Sequence, residues 1–363
     1  MSNIIYAPFM ELLRAGLWNR KPDIHYFPLT EDGWKELRRA GQKQTVNGIL
    51  YDGMLLLPED LQPSKEILYT WAAETALLEL SNHKMNRTIT ELYSLFEREG
   101  IEVILQKGQG VAALYEDPLH RVCGDIDWYV AHPCERKKAN MLVAALGAEV
   151  HYQADYSQMY VYNGIQVEHH SRMCDSHNPF VKKYLKELED RECDQGLKLS
   201  VSGVKIRLPS ALLCHLQVNM HILKHMLSFG VGLRQLCDSA RICYKLHQRT
   251  NGSDLEQIYR KTGILRWILV LNELLCEELG LEERYLPIQR QKGLDYDWMM
   301  QDVWTGGNFG FYDNRYGGYD REKGRRRGVS RHWGRRFIQS LRLAPQETMW
   351  FPLTHLASNL ARK

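Results

Sequence analysis

The chain has 363 residues. At roughly 100–200 residues per domain this predicts two or three domains and excludes a small disulfide-stapled scaffold. Its 44% hydrophobic and 25% charged residues match ordinary globular proteins and exclude global disorder. Formal charge is only +3, from 47 Lys and Arg against 44 Asp and Glu, so the total alone calls for no polyanion. The distribution is uneven, because residues 314–343 hold ten basic side chains and two acids. Eight cysteines form no CxxC pair, unlike a zinc ribbon or redox motif, and read as buried small hydrophobes in a reducing cytosol. Residues 1–20, broken by Pro8, Glu11 and Arg14, do not follow a signal-peptide pattern, and no apolar run approaches the roughly 18 residues of a membrane span. A cytoplasmic protein without membrane contact is expected.

In chain order, the first hundred residues read as helical. Trp34, Leu37 and Ala40 lie at helical spacing, and over 64–100 Leu68, Trp71, Ala72, Ala76, Leu77, Leu80, Leu92, Leu95 and Phe96 recur at intervals that predict one buried face. After Gly100 the run Ile101, Val103, Ile104, Leu105 has strand length and feeds a Lys-Gly turn. Residues 125–130 form a second strand, 133–146 a helix, and 148–152, 158–162 and 165–170 three further strands. Asn163-Gly164 is a two-residue hairpin turn between the last two. One more strand over 198–208 ends at Pro209-Ser210, and helical periodicity resumes to about Gly280. Residues 305–318 read as irregular, with a last helix from Arg331 onward.

The chemistry concentrates in Leu105-Gln106-Lys107-Gly108, Arg121 and Gly124-Asp125-Ile126-Asp127. Side chains two apart on a strand share a face, so Asp125 and Asp127 present two carboxylates to one spot. A divalent cation relieves their repulsion, and Mg²⁺ takes one or two carboxylates together with water and substrate phosphates. This is the donor set of in-line phosphoryl or nucleotidyl transfer. Glu168 and His170 share a face of strand 165–170, and if that strand lies beside 125–130, Glu168 completes a three-carboxylate site. A bare D-x-D also marks metal-dependent glycosyltransferases and occurs on exposed strands with no function.

The string LQKGQGVAALYEDPLHRVCGDIDWYV, with QVEHH downstream and HILKH and GLRQLCD in the helical part, resembles the uncharacterised nucleotidyltransferase family of the polymerase-beta-type superfamily. The match covers about residues 100–240. The resemblance implies an α+β fold, a small mixed sheet forming the nucleotidyltransferase core between N-terminal and C-terminal helical segments. It implies that Gly108 shapes the turn facing the phosphates, that Asp125, Asp127 and Glu168 hold Mg²⁺ or Mn²⁺, and that Lys107 and Arg121 meet the triphosphate of an NTP, with ATP the expected one. Gln109 departs from the family pattern, which has Gly or Ser after the turn glycine, and the spacing from Gly108 to Asp125 is long.

His221 and His225, one helical turn apart, have metal-ligand spacing, but Ile-Leu-Lys stands between them and no third ligand is evident. They are expected to line the cleft with His170 and touch nucleotide or acceptor. Arg234 is a further candidate nucleotide contact, although a structural ion pair with Asp238, one turn on, fits it better. The basic segment, interleaved with Tyr312, Tyr316, Tyr319 and Trp333, suits RNA and a solvated loop equally. Thr305-Gly306-Gly307-Asn308-Phe309-Gly310 reads as a plain loop. The expected organisation is a helical region over 1–100, a nucleotidyltransferase core over 101–208, a helical domain over 209–283 and a basic, aromatic segment over 284–363. The expected reaction moves an NMP from an NTP to an unidentified hydroxyl on a small molecule, RNA or protein. The alternative is a degenerate nucleotide-binding or regulatory protein on the same fold.

Overall fold

The computed structural model describes residues 4–153, 157–228, 230–313, 315, 319–320, 325–326 and 329–360. Three helices, α1 (Tyr6–Trp18), α2 (Glu31–Gln44) and α3 (Asn47–Leu55), precede the 34-residue α4 (Lys65–Arg98). The core follows as β1 (Ile104–Gln106), the short α5 (Gly108–Ala112), β2 (Asp125–Tyr129), α6 (Pro133–Ala145), β3 (His151–Tyr152), β4 (Gln158–Tyr162) and β5 (Ile165–His170). Next come α7 (Pro179–Glu192), β6 (Lys198–Val201), β7 (Val204–Arg207), α8 (Ala211–Ser228), α9 (Leu233–Leu246), α10 (Gly252–Lys261), α11 (Leu265–Leu279) and α12 (Asp297–Gly306). A two-residue pair, β8 (Tyr319–Asp320) and β9 (Arg325–Arg326), precedes α13 (Val329–Leu343) and α14 (Pro345–Leu360). This is the α+β fold expected: a small mixed sheet among helices.

The sheet runs β1-β2-β5-β4-β3, with β2 and β5 parallel and the other pairs antiparallel. Its two faces differ in chemistry because β5 alternates. Ile165, Val167 and His169 are buried on one side, while Gln166, Glu168 and His170 face the other. The apolar side joins Ile126, Trp128 and Tyr160 in a core with Met85, Ile89, Leu92 and Phe96 of α4 and Val143 of α6. A second, larger core gathers side chains of α1–α3 together with α8, α9, α11 and α12, so the N-terminal helices and those after the sheet bury one another. Between the cores, the polar face of the sheet looks across at α8 and α9.

Several sequence expectations change. Leu77 and Leu80, assigned to the buried stripe of α4, are 67% and 65% exposed, because there the helix turns Thr75 and Asn82 inward instead. Asn82 Nδ2 donates to Leu119 O and to Arg121 O (3.0 Å for the latter), binding the helix to the segment that enters β2. The strand expected over 148–152 is only β3, at the sheet edge. The single strand over 198–208 is a hairpin, with Ser202 (φ 49°) and Gly203 (φ 84°) in the left-handed region that a tight two-residue turn requires. The region over 305–318 begins inside α12, and two helices rather than one close the chain. All eight cysteines are free, and Cys174, Cys214, Cys237 and Cys243 are buried as expected, whereas Cys134 is exposed. Among the described residues no helix is long and apolar enough to cross a membrane.

Candidate active site

The acidic wall is built by strand register. Parallel pairing sets Asp127 directly opposite Glu168 and Asp125 opposite Gln166, so the D-x-D strand and the hairpin's return strand deliver their acids to one face. His170 Nε2 lies 2.6 Å from Asp127 Oδ1 and 3.3 Å from Glu168 Oε2, and Gln166 Nε2 donates to Glu168 Oε1 at 2.7 Å. One ligand atom each from Asp127, Glu168 and His170 lies within 4.8 Å of the others. Carboxylate oxygens suit both Mg²⁺ and Mn²⁺, so the Asp127 and Glu168 carboxylates fit the ion that the resemblance implies, while His170, its Nε2 engaged by Asp127, serves as their hydrogen-bond partner. Asp125 stands beside this trio in the same pocket, one pleat along the strand.

Charge is balanced locally. Burial alone would raise the Asp127 carboxyl, but Lys107 and the His170 hydrogen bond outweigh it and hold the group below the usual carboxylate range. Asp125 is pushed up, first by burial and then by the neighbouring Asp127 charge. Burial opposes the His170 charge, yet its bonds to Asp127 and Glu168 raise it to about 9. Lys107 Nζ reaches within 3.8 Å of Asp127 from a backbone at φ 42°, ψ −139°, a strained conformation for a side-chain-bearing residue. Its charge is retained, because Asp127, Asp125 and Glu168 together overcome the desolvation. Gly108 follows at φ 35°, and any Cβ there would stand 3.3 Å from Asp125 O, so the turn needs glycine at the foot of the acidic strand.

The opposite wall is cationic and aromatic. His221, Lys224 and His225 project from α8 and Arg234 from α9 into the same cavity of about 740 Å³. Lys224 pairs with Asp175, and the rings of His221 and His225 meet at 4.3 Å. Burial, then the nearby His225 and Lys107, keep His221 neutral. Arg234 Nη1 donates to Val122 O at 2.7 Å, but no carboxylate among the described residues comes within ion-pair distance of it. Burial, then Arg121, work against its charge. A buried guanidinium of this kind is stabilised by an anion entering the cavity.

A family model described as uncharacterised nucleotidyltransferase matches residues 30–279, well over half of the chain. The chain belongs to this nucleotidyltransferase family. A solved structure of an antigenic nucleotidyltransferase-like protein from Paracoccidioides brasiliensis is similar at 14% identity, covering 55% of this chain and 93% of that one, with a TM-score of 0.35. Comparison with curated proteins gives no match.

In this family member the ten residues singled out from sequence, Lys107, Gly108, Arg121, Asp125, Asp127, Glu168, His170, His221, His225 and Arg234, all line one cavity. Two of them pair differently from expectation. The structural ion pair of Asp238 is with Arg121, not Arg234. Arg121 Nε and Nη2 grip the two Asp238 oxygens at 2.9 and 2.6 Å, and Nη1 contacts Val122 O and Cys123 Sγ. Tyr115 hydroxyl adds a bond to the same carboxylate at 2.6 Å. With its fork so engaged, Arg121 joins the entry to β2 to α9, and Arg234 is the guanidinium left facing the cavity. Gln109, the departure from the family pattern, does not line the cavity: its amide donates to Asn82 Oδ1 of α4 at 2.9 Å. His221 and His225 find no third ligand among the described residues.

Sequence reasoning missed Asp175, Gln217, Asn308, Phe309 and Phe311, which also line the cavity. Gln217 Nε2 donates to Gln106 Oε1 and Met173 O, fixing α8 against the end of β1. Glu189 accepts the Met173 and Cys174 N–H groups at 2.8 and 2.7 Å, which shapes the turn leading to Asp175. The glycine-rich loop after α12 carried a signal in its Gly-Asn-Phe-Gly composition, but nothing in a linear pattern says that it folds back against α8 and α9 to line the cavity.

Proposed function

We propose that this nucleotidyltransferase moves an NMP from an NTP, with ATP as the working donor, to a hydroxyl acceptor and releases pyrophosphate. The observation that carries this reading is a single cavity with Asp125, Asp127 and Glu168 on one wall and Arg234, with no carboxylate within ion-pair distance among the described residues, on the other. Such a cavity accommodates a polyanion that bridges the walls, with the reacting phosphorus toward the acids and the leaving phosphates toward the cations.

Asp125, Asp127 and Glu168 are the residues that would hold Mg²⁺ or Mn²⁺, which, when bound, supplies Lewis-acid polarisation of the phosphoryl oxygens. Glu168, kept in place by Gln166, accepts the proton of the acceptor hydroxyl as its oxygen bonds to the α-phosphorus. The bond from that phosphorus to the bridging oxygen breaks, and pyrophosphate departs against Arg234 and Lys107. Arg121 positions rather than binds: its pair with Asp238 fixes the relation of β2 to α9. His221, kept neutral by burial, and His225 line the side of the cleft where the acceptor enters.

A second reading, nucleotide binding without transfer, is favoured by one observation. His170 and Lys107 already balance Asp127, so this carboxylate has its countercharge from the chain itself. The two readings separate on incubation with α-phosphate-labelled NTP, Mg²⁺ or Mn²⁺ and cell extract. Transfer predicts label in an RNA, protein or small-molecule fraction with the wild-type chain and its loss with Asp127→Asn. Equal labelling by both chains, or none by the wild type, contradicts transfer.

A further inference from the structure

The loop after α12 ends outside the part of the chain that the family model matches, yet it walls the cavity. Asn308, Phe309 and Phe311 line the same space as the acids and Arg234. The loop is built to hold this place. Gln235 Nε2 donates to Asn308 Oδ1 at 3.1 Å, while Gln235 Oε1 accepts Gly232 N–H at 3.0 Å, so Asn308 is tied to the first turn of α9, next to Arg234. Gly307 leads in at φ 62°, where a Cβ would collide with Lys43 O at 2.9 Å and with the Tyr312 ring at 2.7 Å.

Phe309 itself sits at φ 49°, ψ 25°, a left-handed conformation that an L-residue adopts only at a cost in free energy. Among the described residues its ring belongs to neither hydrophobic core. It faces a cavity lined mainly by charged and polar groups, 4.7 Å from the His225 ring and 6.4 Å from Phe311, whose side chain is 43% exposed. An aromatic face held by strain in such surroundings is matched by a ligand with a flat, weakly polar surface attached to an anion.

Resting on the nucleotide reading above, we propose that Phe309 is the stacking platform for the nucleobase of the donor NTP, with Asn308 at its edge and the phosphates directed toward the adjacent Arg234. The base then adds its own affinity to that of the phosphates, and the purine, having the larger ring, gains more than the pyrimidine.

The test is calorimetric titration of the full chain with a non-hydrolysable ATP analogue, its UTP counterpart and inorganic tripolyphosphate, each with Mg²⁺. The wild type is expected to bind the ATP analogue about tenfold more tightly than tripolyphosphate, with the UTP analogue between them. Phe309→Leu removes that margin while leaving tripolyphosphate binding unchanged, which also reports that the cavity is intact. Phe309→Trp restores it. Retention of the margin in Phe309→Leu overturns the stacking role, and so does an equal loss of tripolyphosphate and nucleotide binding, which marks Phe309 as merely structural. Wild-type binding of tripolyphosphate with no margin for the analogue overturns the base site alone. Failure to bind any of the three overturns the nucleotide reading and this proposal with it.

Discussion

Asp127 shows how one side chain gathers a site. It sits between His170 and Lys107, opposite Glu168 in the strand register, and these neighbours hold it ionised although it is 5% exposed. His120 shows the same physics in a structural role. Its ring lies 2.6 Å from Asp52 and 2.9 Å from Glu79, joining α3, α4 and the turn before β2. Burial pushes its pKa down, but the bond to Asp52, its Coulomb attraction and the bond to Glu79 prevail and raise it to about 9. Asp52 is itself pushed up, chiefly by burial, so part of the gain is returned. Because the folded pKa of His120 lies above its unfolded value, its stabilisation is complete below about pH 6.5 and disappears as pH rises through about 9. We expect the wild type to lose about 1–2 kcal/mol relative to His120→Gln between about pH 7 and pH 9.5, the imidazole's advantage being reduced by the buried carboxylate. Urea unfolding of both chains at the two pH values checks this, and parallel pH profiles would refute it.

Elements were legible in the sequence to different degrees, for physical reasons. The β4–β5 hairpin was recognisable to the residue because Asn163-Gly164 supplies a turn that few other pairs allow, and alternation then fixed which side chains face the acids. The hairpin of β6 and β7 was read as one strand, although its Ser-Gly pair carries the same turn chemistry in a less distinctive dipeptide. The exposed Leu77 and Leu80 show the limit of periodicity, since apolar spacing does not say which arc of a long helix meets a neighbour. The joint between core and helices was invisible, because Arg121 and Asp238 are 117 residues apart. Both are about 5% exposed, so breaking the pair strands a buried charge. Asp238→Ala is expected to destabilise the chain by about 3–5 kcal/mol, and the double variant Arg121→Met, Asp238→Leu to cost distinctly less, because it leaves no unpaired charge. Denaturant titration of the three chains decides this. A double variant as unstable as Asp238→Ala, or more so, would contradict it.

At the scale of the whole molecule, function depends on two walls that the chain supplies from distant stretches. The acids come from residues 125–170, the cations and imidazoles from α8 and α9, and the aromatic rim from residues beyond 300. The acidic half was readable because strand alternation and the D-x-D spacing are local, and the resemblance extended the reading to Lys107, Arg121 and the histidines. Its aromatic half was not, because a glycine-rich loop carries no period and its position is set by a tertiary bond between Gln235 and Asn308. The central proposal is that the two walls form a single site for a nucleotide together with a divalent cation. Calorimetric titration of the full chain with ATP, in the presence and absence of Mg²⁺, tests it most directly. A binding heat that requires Mg²⁺ in the wild type and is lost in Asp127→Asn is the predicted result, whereas heat indifferent to the metal or to that substitution would contradict it.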